Sequence, residues 1–254
     1  MTRDRSRDRT SAQVPRLFVD ADLVAGASIA LAPEQANYLG IVLRLGAGDG
    51  VHVFNGRDGE WRAAIAAQGR RSLSLLIDAR LRPQEGGPDL VYLFAPLKRA
   101  RLDYMVQKAT ELGVAALQPV QTARTVAERV NLERMRANAV EAAEQCGILR
   151  IPEVRAVQPL RAVLDGWNHG RTLVFCDEGD AADDGGPLAR LTRLAPGPLA
   201  VLIGPEGGFD PVEREMLRAR PFVVPLSLGP RIMRADTAAV AALALVNAAL
   251  GDWR

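Results

Sequence analysis

The residues Leu202-Ile203-Gly204-Pro205-Glu206-Gly207-Gly208-Phe209-Asp210-Pro211-Val212-Glu213 place three glycines between an apolar run and a helix start. Asp210 stands as an N-cap, Pro211 at the first helical position and Glu213 three residues on, which completes a capping box. Glycines between a strand end and a helix start lie where open α/β sheets bind ligands. A phosphate is poorly served there. Pro205 has no N–H to donate, Glu206 adds a negative charge, and neither GxGxxG nor a Gly-Lys-Ser/Thr ending is present. The loop suits a ligand approached through the backbone and carrying some positive charge; a tight turn without a ligand is the alternative. A second segment follows the next apolar run, Leu226-Ser227-Leu228-Gly229-Pro230-Arg231-Ile232-Met233-Arg234-Ala235-Asp236-Thr237. Gly229-Pro230 forces a turn, and Arg231 and Arg234 flank an apolar pair. Alone, this reads as a loop with two solvated arginines.

Both segments need strands and helices to hold them. Leu90 to Ala95, Val114 to Val120, Thr172 to Cys176, Leu199 to Ile203 and Phe222 to Pro225 are apolar runs of strand length. Between them, Leu102, Met105, Val106, Ala109 and Leu112 share one helical face that stops at Gly113. A longer helix from about Asn131 to Cys146 stops at Gly147. A last, alanine-rich helix covers roughly Asp236 to Leu250. This alternation implies an α/β domain with a mostly parallel sheet covered on both faces, over residues 90–254.

The chain begins differently. Residues 1–14 alternate arginine and aspartate and read as a disordered tail. Over 15–82, short apolar runs (Leu17 to Val19, Ile41 to Leu43, Val51 to Phe54, Trp61 to Ile65, Leu73 to Ile77) are expected to be strands of a small β-barrel. Asn55-Gly56 and Asp58-Gly59 supply a hairpin turn. Residues 83–89, Pro-Gln-Glu-Gly-Gly-Pro-Asp, form the linker.

Composition narrows the function. The 254 residues carry 32 Lys and Arg against 30 Asp and Glu, and the tail alone accounts for the net +2. The body is neutral, so any nucleic-acid face must be local. Cys146 and Cys176 are the only cysteines and His52 and His169 the only histidines, with no zinc-like spacing; no metal is expected. The longest apolar run, Ala238 to Val246, is about half of the roughly 18 residues of a membrane span. With no secretory signal pattern either, the expectation is a cytoplasmic protein away from membranes.

Gly204 to Gly208 (GPEGG) followed by Leu228 to Ala238 (LGPRIMRADTA) resembles the C-terminal signature of the RsmE family of SPOUT-superfamily methyltransferases. Upstream, Gln107 to Val114 is similar to the family's QKxxELGV helix end, and Glu144-Gln145-Cys146-Gly147 to its EQCG helix end. Ile151-Pro152-Glu153 matches the stretch after it. Pro15 to Phe18 and Val42-Leu43-Arg44 resemble its barrel motifs, so the likeness runs from about residue 15 to the C-terminus. The chain departs from the pattern at Tyr38, Ala123, Ile148 and Ala235-Asp236.

The resemblance implies a PUA-like RNA-binding barrel and a SPOUT domain whose C-terminal end forms a trefoil knot. It implies S-adenosylmethionine (SAM) as cofactor, a homodimer, and methylation of N3 of a uridine in 16S ribosomal RNA of the small subunit. Carried over, the cofactor is held by Leu202, by Gly204, Pro205, Glu206, Gly207 and Gly208, and by Leu226, Ser227, Leu228, Gly229, Arg231, Ile232 and Met233. Glu206 is a candidate to offset the sulfonium charge, since a buried cation needs compensation. Arg234 is a candidate to stabilise the uridylate, while Arg231 is an alternative phosphate ligand. Asp236 is either a base or only a helix cap, so the base stays open. For RNA the candidates are Arg16 and Arg44 on the barrel, then Lys98, Arg99, Arg101 and Arg124. N3 is occupied in a paired or stacked base, so the uridine must be extruded. Two alternatives stand beside this: another SPOUT methyltransferase with a different RNA target, or a non-catalytic RNA-binding protein with a degenerate knot domain.

Overall fold

The computed structural model describes residues 14–68, 72–126, 129–177 and 185–253. The Arg-rich tail, apart from Val14, lies outside them. The chain divides into two compact units between Glu85 and Gly86.

In the first unit, β1 (Arg16–Phe18), β2 (Ser28–Ala30), β3 (Gly50–Phe54), β4 (Glu60–Gln68) and β5 (Ser72–Arg82) form one sheet in the order β1-β3-β4-β5-β2. Only β1 and β3 run parallel. Alternation puts Val51, Val53, Ala63, Ile65, Leu75 and Ile77 on one face, where they enclose the core with Leu17 and Leu39. The hairpin turn works through Asn55, which is 4% exposed. Its Oδ1 accepts from the N–H groups of Arg57 (2.9 Å) and Asp58 (2.8 Å), and its Nδ2 donates to the Ala21 carbonyl (2.9 Å).

Ile41 to Leu43, expected as a strand, is instead part of a π-helical turn over Tyr38–Val42 that continues α1 (Pro33–Asn37). The helix start explains the difference. Pro33 sits in the first turn, and the Gln35 side chain accepts from the Ala32 N–H (3.2 Å) while donating to the Phe18 carbonyl (2.8 Å). A three-residue apolar run cannot distinguish helix from strand. Here only Leu39 is buried, and Ile41 and Val42 stay 70% and 61% exposed.

The second unit is built on a parallel sheet in the order β12-β10-β11-β6-β7-β8, with β9 pairing β7. Its strands are β6 (Leu90–Phe94), β7 (Ala116–Gln121), β8 (Glu153–Val154), β9 (Gln158–Pro159), β10 (Thr172–Cys176), β11 (Leu199–Ile203) and β12 (Val223–Leu226). β6 and β11 are buried at every position, the mark of a sheet covered on both sides. On one face, α2 (Arg99–Glu111), α3 (Leu132–Cys146) and α7 (Ala235–Leu250) pack on Tyr92, Phe94, Val174 and Val201. On the other, Leu93, Phe175 and Leu202 meet Leu164 of α4 (Leu160–Asp165) and Leu217 of α6 (Pro211–Arg218). A short α5 (Gly186–Leu191) packs against α7.

After the edge strand β12 the chain returns inward, and α7 packs on α2 and β11. Its small residues Ala235, Ala239, Ala242 and Ala249 are buried, which permits the close approach. Asn247, fully buried, ties the far end down by donating to the Leu112 carbonyl at 2.8 Å. No helix among the described residues is long and apolar enough to cross a membrane.

Candidate functional site

The sheet order brings three strand ends together: Cys176 pairs with Ile203 on one side and with Leu226 on the other. The segments leaving those ends enclose a cavity of about 380 Å³. Gly204, Pro205, Glu206 and Gly208 line it from one loop; Leu226 to Arg234, with Ala235 and Ala238 of α7, line it from the other. Two segments separated in sequence by α6 and β12 thus become the walls of one pocket.

Not every expected residue is there. Leu202 and Gly207 do not line the cavity. Leu202 is fully buried on the α6 side of β11, packed in the core by strand alternation. Gly207 is exposed, and its carbonyl accepts from Arg124 Nη1 at 2.9 Å.

The first loop is fixed from several directions. Asp210 caps α6, its Oδ1 accepting from the Val212 N–H at 2.9 Å. Glu213 accepts from the Asp210 N–H (3.3 Å) through Oε2 and from the Ala123 N–H (2.7 Å) through Oε1. One side chain therefore joins the helix cap to the end of β7. Gly204 is dictated by packing: a Cβ there would stand 2.5 Å from Cε2 of Phe209, whose ring meets Phe175 edge-on at 4.9 Å. In the second loop Gly229 has φ +112°, a conformation that side-chain-bearing residues rarely adopt.

The charges are arranged differently from the sequence expectation. Glu206 is 48% exposed at its side chain and is ion-paired to Arg101 of α2, which also lines the cavity, so its charge already has a partner there. The buried carboxylate at the cavity is Asp177, the residue after β10, with a side chain 1% exposed. Its Oδ2 accepts from Arg218 Nη2 at 3.0 Å. Its Oδ1 lies 3.1 Å from Arg214 Nε, close enough for an ion pair but without hydrogen-bond alignment. Asp177 and Arg214 are the charged lining residues that sequence reasoning missed. Their signal was positional: an acid directly after a buried parallel strand, opposite the cationic face of the capped helix. Beside them, burial pushes the Cys176 thiol up to about 12, and burial also holds the Tyr92 phenol well above its ordinary value.

Arg231 and Arg234 are exposed at the cavity, and neither guanidinium is in an ion pair among the described residues. Asp236 does not line the cavity. It sits in the first turn of α7, where a negative charge complements the helix dipole, and its Oδ1 accepts from the Thr237 N–H at 3.0 Å. The structure brings Arg234 to the pocket and leaves Asp236 to the helix.

Of the cations expected to meet RNA, Lys98 and Arg99 are exposed at the N-terminal end of α2. Positive charge there opposes the helix dipole, so helix stability does not account for it. Arg44 is exposed with φ 56°, a left-handed backbone uncommon outside glycine. Arg16 corrects the expectation. Its side chain is 9% exposed, paired to Glu60 at 2.5 Å and set 4.6 Å over the Phe54 ring, so it is spent inside the barrel unit.

Comparison with known proteins places this site in a family. Residues 85–247 match the model of an RNA methyltransferase domain, and residues 31–78 that of an RNA methyltransferase PUA domain. The ribosomal RNA small subunit methyltransferase E of Rickettsia conorii is 30% identical over 233 residues, 91% of this chain and 94% of its own. A putative methyltransferase from Legionella pneumophila, solved with bound SAM, is 29% identical with a TM-score of 0.81, covering 94% of this chain and 99% of that one. The Neisseria gonorrhoeae ribosomal RNA small subunit methyltransferase E shares the fold, with a TM-score of 0.85 at 24% identity over 95% of this chain and 100% of that one. The order of a PUA domain and a SPOUT-type parallel-sheet domain agrees with these matches, which span nearly the whole chain; the chain belongs to the RsmE family of RNA methyltransferases.

Proposed function

We propose that this protein transfers the methyl group of SAM to N3 of a uridine in 16S ribosomal RNA of the small subunit. The observation that carries the reading is the convergence of Gly204, Pro205, Glu206 and Gly208 with Leu226 to Met233 and Arg234 around one cavity at three adjacent strand ends.

The cavity fits the cofactor's chemistry. Its walls combine backbone-rich glycine loops with the apolar Ile203, Phe209, Leu226 and Leu228, and it is open to arginines at its rim. Such a mixture of apolar surface and few polar groups suits a nucleoside with a charged tail. When bound, SAM supplies an electrophilic methyl on a sulfonium. The chain's own contribution is to orient the reactants and exclude water, as in-line displacement requires.

Uridine N3 must lose its proton, which leaves negative charge on the base. Arg234, exposed at the cavity and unpaired among the described residues, stabilises that charge. Arg231 is placed for a neighbouring phosphate. Lys98 and Arg99 at the start of α2, and Arg44 on the PUA-like unit, supply further backbone contacts. The base enters extruded from its stack. The assembly is a pair of identical chains working in the cytoplasm, as the resemblance implies.

The test is transfer from labelled SAM to small subunits purified from cells that lack the modification, with the product nucleoside identified by mass spectrometry. 3-Methyluridine is the expected product. A different methylated nucleoside would move the reading to another RNA target, and no transfer to any RNA would overturn it.

A further inference from the structure

We infer that the π-helical turn of the first unit docks one unpaired nucleotide, with Ile41 and Val42 against the base and Arg44 on the adjoining phosphate. The assignment rests on the proposed RNA substrate and adds an apolar half to the contact. The turn spans Tyr38–Val42, and the Leu43 N–H donates to the Tyr38 carbonyl at 2.9 Å. The Leu45 N–H closes the reversal on the Leu39 carbonyl, also at 2.9 Å. Arg44 lies between those two bonds, just past the helix end. A left-handed residue makes the reversal there, and glycine is the usual one.

Arg44 has φ 56°, and every other left-handed position among the described residues holds glycine. A side chain in that conformation strains the backbone. Packing does not offset the strain, because Arg44 is exposed and has no ion pair among the described residues. Strain kept without a packing reason marks a functional position. The turn also sorts its neighbours. Leu39 is buried and Leu43 and Leu45 pack against the core, whereas Ile41 and Val42 stand 70% and 61% exposed beside Arg44. π-helical turns are rare and recur at functional sites.

The patch suits a nucleotide better than a protein. A stable protein contact covers about 800 Å² on each partner, far more than two branched side chains offer. One base presents an apolar face of the smaller size, and its phosphate matches a guanidinium. A base inside a duplex has both faces covered by its neighbours, so the contact selects an unpaired one. The chain beyond leaves room for it: a Cβ at Gly46 or Gly50 would meet nothing within 4 Å. The nearest acid in sequence, Asp49, is turned to the backbone, its Oδ2 accepting from the Gly46 N–H at 2.8 Å.

The experiment measures filter binding of the full-length protein, over a range of salt, to small subunits lacking the modification and to protein-free 16S ribosomal RNA. Arg44→Gly should melt about 2–4 °C higher because the strain is relieved, yet bind both probes about tenfold more weakly. Its slope of log affinity against log salt should fall by about 0.7–0.9, the loss of one phosphate contact, and Arg44→Lys should keep the slope. Ile41→Ser combined with Val42→Ser should also weaken binding about tenfold, as loss of about 55 Å² of apolar contact predicts, with the slope unchanged. Full affinity in Arg44→Gly or in the double variant would overturn the assignment, as would a lowered Tm in Arg44→Gly. Weakening seen with subunits but not with protein-free RNA would also overturn it, by making the partner a ribosomal protein. A smaller particle mass of the double variant in light scattering would do the same, by making the partner a second copy of this chain. An unaltered protein that binds neither probe would instead remove the proposed function.

Discussion

Arg124, three residues beyond β7, donates from Nη1 to the carbonyl of Gly207, 2.9 Å away and 83 residues later in the chain. The same guanidinium lies 3.9 Å from Asp210, the cap of α6. A residue expected to meet RNA therefore braces the glycine loop that forms one wall of the cavity. The Ala123 N–H, bound by Glu213, makes the same connection one residue earlier.

This contact predicts that Arg124→Ala weakens SAM binding. A hydrogen bond of this kind contributes about 1 kcal/mol, or roughly fivefold in affinity. Arg124→Lys, which can still reach a carbonyl, should recover part of it. Calorimetry with SAM decides the matter; unchanged affinity in Arg124→Ala would show the loop to be rigid without the brace.

Arg234→Ala should leave cofactor affinity nearly intact and reduce kcat by about a hundredfold or more, the scale for removing a group that stabilises developing charge. Single-turnover transfer measured beside SAM binding separates the two effects. An equal loss in both would assign Arg234 to the cofactor instead of the base.

The loop's glycines should respond unequally to alanine. At Gly204 a Cβ meets the Phe209 ring at 2.5 Å, so Gly204→Ala should cost about 1–3 kcal/mol, visible as a lowered Tm. At Gly207 the nearest atom, Arg124 Cδ, is 3.7 Å from the added Cβ, an ordinary contact. Gly207→Ala should therefore melt close to the unaltered protein.

Glu60 ties Arg16 (2.5 Å) and Arg82 (2.8 Å) together in the first unit. Burial raises its pKa, but the two arginines outweigh burial and hold the carboxyl below its ordinary value of 4.5. A depressed pKa contributes stability above the unfolded value, and that stability is lost as pH falls through the folded one. Unfolding followed between pH 7 and 3 should thus show the contribution of Glu60 disappearing only below about pH 4. Glu60→Gln should remove about 1–3 kcal/mol at neutral pH, because it takes away a buried carboxylate charge that two arginines share.

The thiols offer a check on cavity burial. Cys146 is exposed, whereas burial pushes Cys176 up to about 12. At pH 8, iodoacetamide followed by peptide mass spectrometry should label Cys146 and leave Cys176 largely unmodified. Comparable labelling of both would mean that the floor of the cavity opens readily.

Much of this architecture was legible in the residues because local rules agreed with one another. Asp210, Pro211 and Glu213 form the capped helix start that their order implies. The helix ends at Gly113 and Gly147, and the apolar runs of β6, β10 and β11, likewise follow from patterning. Ile41 to Leu43 was misread because three apolar residues have no period. Arg16 was misread because a surface arginine and a buried, paired one look alike until Glu60, 44 residues away, is placed beside it. Asp177 went unnoticed for the same reason: its significance depends on Arg214 and Arg218, which reach it only after β10 and α6 have packed. Short-range chemistry could be read; charge pairing across the fold could not.

The cavity walls also constrain the order of assembly. Its floor and both loops, Cys176 to Asp177, Ile203 to Phe209 and Leu226 to Arg234, are brought together only when β10, β11 and β12 have aligned in parallel register and α7 has settled on β11. Parallel pairings between distant segments are among the slowest steps available to a refolding chain. A ligand for this pocket consequently meets no partial site on an unfinished molecule. A ligand that binds only the assembled pocket stabilises it by mass action, so its concentration sets how firmly β10, β11, β12 and α7 are held together.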